Sequence, residues 1–263
     1  MDSITVRTPD LRFDEPMPVL WFGDNAFLTF LFNGFNLSFP AGERFFVRAV
    51  HDHLDRVTDP GLRAQARSFS GQEGQHAKIH ERLFDALRIQ GFDLAPYFAV
   101  YDPYQGLVAK RPAALRLSVT AALEHYTSTL AQTLFLPHML DGVHEPMRKL
   151  LVWHATEEIE HRAVAFDVLR ATRPGYFLRA LGFVLGTLSV LFWIIFGMRL
   201  FVRQSHTAGA ALRNDARKAR ALLKGFPLLR SLLAYLRPGF HPNEAGSLDV
   251  ALAQLRAEGL DTV

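Results

Sequence analysis

Residues 153–161 read Trp153-His154-Ala155-Thr156-Glu157-Glu158-Ile159-Glu160-His161. Successive residues of an α-helix turn by about 100°, so positions three and four apart share a face. On that rule Met147, Leu151, His154, Glu158, His161, Ala165 and Val168 form one stripe, and the spacing predicts a helix from about Pro146 to Arg173. Its stripe is apolar at both ends and carries a carboxylate and two imidazoles in the middle. Such groups are costly to bury unless something neutralises them. Glu157 and Glu160 flank Glu158. A cluster of acids is usually a solvated face, but only Glu158 has the i, i+3 relation to His161 within the apolar stripe, with Glu157 as the substitute.

Working outward, the same signature recurs. A helix from about Leu62 to Gln90, stopped by Gly91, carries Phe69, Glu73, His76, His80, Leu83 and Leu87 on one face. A helix from Pro40, ended by Asp59-Pro60-Gly61, puts Glu43 on a stripe with Phe46, Val47, Val50, Leu54 and Val57. A helix over roughly Ala113 to Met139, closed by Asp141-Gly142, puts Glu124 among Leu117, Thr120, Thr127, Ala131 and Leu134. The expected metal donors are therefore Glu43, Glu73, His76, Glu124, Glu158 and His161. His154 and His80, one turn away on the same stripes, are added as further donors, supporting partners or simply packed side chains. His51, His53 and His125 are read as ordinary histidines, and Asp85 and Asp167 as structural. Two helices, a long connection over residues 91–112, then two more helices is the connectivity of ferritin-like bundles. The expected fold is all-α, a ferritin-like four-helix bundle over 40–173. An arm and apolar cover segment (1–39) precede it, and a hydrophobic helix with a basic amphipathic region (174–263) follows. Within the cover, the aromatic run 21–39 fits either a buried helix or an extended segment.

Composition narrows the chemistry. The chain has 263 residues and no cysteine, which excludes disulfides, thiolate metal sites and iron–sulfur clusters. The net charge is +3 with the bases interleaved among acids, so no nucleic-acid partner is expected. The first residues are polar and acidic rather than basic and then apolar, which points away from a secretory signal and towards the cytoplasm. Nineteen uncharged residues, Ala180–Met198, lie between Arg179 and Arg199. With Gly182-x-x-x-Gly186 they are read as a membrane-contacting helix. Bases on both sides leave no positive-inside bias, so an in-plane or re-entrant anchor on the inner face of the cytoplasmic membrane fits better than a crossing.

At Phe39-Pro40-Ala41-Gly42-Glu43-Arg44-Phe45-Phe46, Gln72-Glu73-Gly74-Gln75-His76, Leu123-Glu124-His125-Tyr126-Thr127 and the 153–161 string, the sequence resembles the bacterial family labelled "predicted metal-dependent hydrolase". The resemblance covers about residues 10–245, including Phe240-His241-Pro242. The label implies a hydrolase. The donor pattern is instead similar to that of oxygen-activating di-iron proteins, and His154 four before Glu158 resembles the extra histidine of the aminobenzoate N-oxygenase group. By analogy, Glu73 and Glu158 would bridge two metals, Glu43 and Glu124 would be terminal, and His76 and His161 would each anchor one.

Carboxylate-rich donors with some imidazole suit Fe(II) or Mn(II) better than zinc. The expected cofactor is thus two Fe ions, with Fe/Mn or Mn as alternatives and Zn less suited. The expected function is a di-iron oxygenase or oxidase, using O2 and an external electron donor on a small hydrophobic substrate such as a lipid or fatty-acyl chain. The alternatives are a metal-dependent hydrolase and a non-enzymatic iron-handling protein. A membrane surface and a homodimer complete the expected partners. Tyr126, two residues from Glu124, is offset so as to face away from the metals.

Overall fold

The computed structural model describes residues 4–13, 17–207, 209–244, 246 and 248–261. The ends of the expected arm, at 1–3 and 14–16, lie outside them. Among the described residues all the regular secondary structure is helical, apart from a single isolated antiparallel bridge between Phe22 and Val143.

The aromatic run resolves into α1 (Ala26–Asn36), with Asn25 capping it by accepting the Leu28 N–H at 2.9 Å. The next helix, α2 (Phe39–His51), is shorter than its stripe implied, because Leu54 falls in a 3₁₀ turn (Leu54–Arg56) and Val57 caps it. Asp59 accepts the Gly61 N–H at 2.8 Å and starts α3 (Pro60–Ile89), where Pro60 sits in the first turn that tolerates it.

The stretch 91–112, expected as an irregular connection, contains a helix, α4 (Ala95–Ala109). Pro96 lies in its first turn, and Pro103 is carried in the interior. Two buried tyrosines, Tyr97 and Tyr101, pack edge-on against Trp193 and hold the helix despite that proline. Then α5 (Ala113–Leu134) ends before the expected Met139. The expected fourth helix is divided into α6 (Glu145–His161) and α7 (Val164–Ala171), with the break directly after His161. Pairwise, α2 packs on α3 and α5, and α6 packs on α5 and α3, so the four surround a common interior.

The apolar segment is α8 (Tyr176–Gln204), long and apolar enough to cross a membrane. It is nonetheless part of the core on one side. An added Cβ on Gly34 would lie 2.5 Å from the Met198 nitrogen, and one on Gly197 2.8 Å from the Gly34 Cα. Gly182 and Gly186, expected to serve membrane contact, are instead where α8 lies against α5, at Ser118 and Leu123. The opposite side of α8 is exposed: Phe177, Leu181, Leu188, Phe192 and Ile195 follow helical spacing along it. Next comes α9 (Gly209–Leu222), whose Asp215 accepts the Ala26 N–H at the start of α1 at 3.0 Å. Beyond α10 (Leu228–Leu233), Tyr235 stacks on Phe183, and His241 meets Asp167 of α7 at 3.0 Å. The closing helix, α11 (Leu248–Ala257), packs on α6.

Candidate metal centre

Inside the four helices the structure brings together Glu43 from α2, Glu73 and His76 from α3, Glu124 from α5, and His154, Glu158 and His161 from α6. All seven are buried. The i, i+3 spacing turns Glu73 with His76, and Glu158 with His161, to the same side, as helix geometry requires. His161 Nε2 stands 3.1 Å from a Glu73 oxygen, 3.2 Å from one of Glu124 and 3.6 Å from one of Glu158. His76 Nδ1 faces Glu73 at 3.7 Å and Glu158 at 3.9 Å. His154 Nε2 lies 2.8 Å from Glu158 and 3.8 Å from Glu43. Three sets have donor atoms close enough to share an ion: Glu43, His76 and His154; Glu73, His76 and Glu158; Glu73, Glu124 and His161. Glu73 belongs to two of them.

His154 Nε2 hydrogen-bonds Glu158, whereas the other approaches are close but not aligned as hydrogen bonds. Both oxygens of Glu43, Glu73 and Glu124, one of Glu158, His76 Nδ1 and His161 Nε2 are buried without a hydrogen-bond partner, nine atoms in one place. Buried polar groups are normally paired, and an unsatisfied one costs about 1–3 kcal/mol, more when charged. Cations among them would satisfy all nine at once, so the residues fit a metal centre.

The metal-free electrostatics say the same. Burial pushes Glu43 well above the carboxylate range, and Glu158 and Glu124 add to it. Burial, then Glu124, does likewise to Glu73, while burial moves Glu124 up to about 7. Burial also drives His76 and His80 well below the usual histidine value, helped in each case by His154. Glu158 is the exception: burial lifts it, but His161 and His154 outweigh that and hold it well below the carboxylate range. His161 is correspondingly raised against the pull of burial by Glu124 and Glu158. Without a metal, these directions favour one charged pair, Glu158 with His161, and the neutral forms of Glu43, Glu73, His76 and His80.

The far nitrogens of the two histidines are held from behind. His76 Nε2 bonds Glu157 at 3.0 Å, and His161 Nδ1 bonds the Gln72 side-chain oxygen at 2.9 Å, which aims Nδ1 of one ring and Nε2 of the other at the centre. Gln72 in turn donates to Glu160 and to the Thr5 carbonyl, both at 2.8 Å, and Arg7 reaches Glu157 and Glu160 at 3.2 and 2.8 Å. Glu157 therefore stands behind His76 and not among the converging donors, and Glu160 is paired rather than solvated. Sequence reading missed Arg7 and Gln72. Gln72 adjoins Glu73, which could have flagged it; Arg7 sits in an arm with no periodicity and left no signal.

His80 belongs to none of the three sets. It bonds His154 Nδ1 on one side and the Asn36 side-chain oxygen on the other, and so orients His154. Phe39 lies against both rings, with centroids at 4.6 and 4.8 Å. His51 is exposed, while His53 bonds the Ala49 carbonyl and His125 the carbonyls of Ser231 and Leu232. Asp85 pairs with Arg88 at the surface. Tyr126 points its hydroxyl at Thr187 at 2.7 Å.

A cavity of about 620 Å³ lies between α2, α4, α5 and α8, and Glu43 and Thr127 line it. Its other walls are mainly aromatic and aliphatic, so the cluster has an apolar approach.

No curated protein and no solved structure matches the chain. A family's sequence model does, over residues 5–246, a span that takes in every one of these donors and the arm behind them. The chain belongs to the predicted metal-dependent hydrolase family.

Proposed function

We propose that this protein is an enzyme with a two-metal centre held by Glu43, Glu73, His76, Glu124, Glu158 and His161, with His154 as a further donor, acting on an apolar substrate. The observation that carries this reading is the convergence of nine unpartnered carboxylate and imidazole atoms in a dry interior. One Glu from each of two helices and Glu-x-x-His from each of two others is the donor pattern of ferritin-like dimetal bundles, and the mutual packing of α2, α3, α5 and α6 supports that fold.

The family description puts hydrolysis first. Bound here, a metal pair would supply Lewis acidity for hydrolysis or, if redox-active, electrons for O2. The chain's own part is defined either way. His76 and His161 are fixed by Glu157 and Gln72, His154 is fixed by His80, and mainly aromatic and aliphatic walls flank Glu43. O2-dependent oxidation is the second reading, favoured by the donor set: four carboxylates with few imidazoles suit iron or manganese more than zinc.

Loading the metal-free protein with Fe(II), Mn(II) or Zn(II), with and without air, tests both. About two metal ions per chain are expected. Cleavage of long-chain acyl esters without O2 supports hydrolysis, whereas O2 uptake with Fe(II) and no ester cleavage supports oxidation. Failure to retain any of the three metals would sink the centre itself.

A further inference from the structure

The cavity beside Glu43 is built asymmetrically, and that asymmetry identifies a class of ligand. Its polar wall groups are largely committed to the protein. Tyr101 donates to the Ser38 carbonyl at 2.8 Å, Tyr104 shares a hydrogen bond with Ser189 at 2.7 Å, and Tyr126 one with Thr187 at 2.7 Å. What these tyrosines leave facing the space is ring surface, joined by Phe46, Leu123 and Trp193. A sugar or peptide would find few free partners there, and a hydrocarbon chain would lose nothing.

Charge stands at one end only. Arg111, at the turn between α4 and α5, and Arg116, in the first turn of α5 with its Nε bonded to the Arg111 carbonyl at 3.0 Å, line the cavity. Arg116 bonds Asp52 at the C-terminal end of α2, at 2.7 Å. Asp52 is nine residues beyond Glu43, about 13 Å along that helix. Arg111 is exposed and makes no ion pair among the described residues. The only acid on the cavity wall is Glu43, itself buried and unpartnered. The space also opens beside α8: Leu185, Leu188 and Phe192 both line it and belong to that helix's exposed apolar side.

We propose that this cavity binds a long-chain amphiphile with an anionic head, a carboxylate or a phosphate. The head sits at Arg111 and Arg116, and the chain runs along the tyrosine wall so that its interior, not its head, lies against Glu43. Binding itself follows from the cavity alone; that the chain interior facing Glu43 is the reacting part rests on the oxidative reading of the two-metal centre, since a hydrocarbon interior offers no bond to hydrolyse.

The test uses the full chain, metal-free and metal-loaded, with hexadecanoate and hexadecanol competing against a fluorescent polyene fatty acid. Hexadecanoate is expected to bind both forms at least tenfold more tightly than hexadecanol, the worth of one charge-assisted contact. Arg111→Glu, at an exposed position, should remove that preference and leave hexadecanol binding unchanged. Val119→Trp, which fills the cavity, should abolish binding of both ligands while the thermal transition is retained. Equal affinity for acid and alcohol, or an Arg111→Glu protein that keeps the preference, overturns the proposal. Offering hexadecanoate from solution and phosphatidylglycerol from vesicles distinguishes a free acid from a bilayer lipid; loading from either supports the proposal, and loading from neither overturns it. Because the metal-free chain is measured too, a protein that binds the amphiphile but retains no metal would fail the two-metal reading alone.

Discussion

Arg7 and Glu157 stand 150 residues apart in sequence and meet at 3.2 Å, with both side chains buried. Glu157 passes that contact on to His76 at 3.0 Å, so an N-terminal arm without secondary structure sets the orientation of a histidine in the centre.

Arg7→Ala should therefore do two things. It removes one partner of a buried ion pair, which costs roughly 3–5 kcal/mol of stability. It also frees Glu157 and Glu160 behind His76 and Gln72, and loss of such support lowers metal affinity by about 10–100-fold. Denaturant melts and metal titrations of the same variant measure the two effects. Unchanged metal affinity would confine the arm to a structural role.

Glu124→Gln should separate stability from function. Glu124 is pushed up to about 7, so its folded-state contribution is present at low pH and is lost as pH rises through that value. Above about pH 7 the buried carboxylate costs the metal-free protein roughly 3 kcal/mol against its unfolded value, and the neutral amide removes that cost. The metal-free variant should melt higher than the parent at about pH 8 and bind metal more weakly. A lower melting temperature together with full metal binding would contradict this.

The same signs give the metal-free protein a pH profile. Glu43, Glu73 and Glu124 are all raised, and each contributes stability that disappears as pH rises through its folded value. His161, also raised, acts in that direction. His76 and His80 are lowered and act oppositely, but only as pH falls through the ordinary histidine range near 6.5. Glu158 is lowered and loses its contribution only in acid. Above about pH 6.5, where His76 and His80 no longer oppose them, the raised groups dominate, and the melting temperature of chelator-treated protein should fall. Metals displace those protons, so the thermal gain on loading should grow over the same interval. Calorimetry with and without metal checks both slopes.

Gly197→Ala probes the contact between α1 and α8. The new methyl would sit 2.8 Å from Gly34 Cα and 2.9 Å from its carbonyl oxygen, and neither backbone atom can step aside alone. A loss of about 1–3 kcal/mol is expected, read from denaturant unfolding. Leu188→Glu, on the exposed side of the same helix, should leave stability nearly unchanged and reduce co-sedimentation with phosphatidylglycerol vesicles. Equal sedimentation of variant and parent would remove the membrane from consideration.

The convergence of these carboxylates and imidazoles was legible because helix spacing alone sets which side chains share a face. Glu73 with His76 and Glu158 with His161 needed no tertiary information, and the apolar neighbours of Glu43 and Glu124 marked them as inward. What was not legible depended on partners distant in sequence. The helix at Ala95–Ala109 was obscured by Pro103, whose cost is met by tyrosines packing edge-on against Trp193, nearly a hundred residues later. Gly182 and Gly186 carry the same spacing whether the close neighbour is another membrane helix or α5, so local pattern could not choose. The break after His161 has no proline or glycine to announce it.

The two-sided character of α8 has a practical consequence for handling the protein. A segment greasy enough to be taken for a detachable anchor would ordinarily be trimmed to obtain a tractable fragment. Here trimming at about residue 174 would strip the cover from α1 and α5, bare the wall behind Tyr104 and Tyr126, and leave a sticky, collapsed remnant in place of the folded chain. Purification should keep the helix and supply a mild detergent instead.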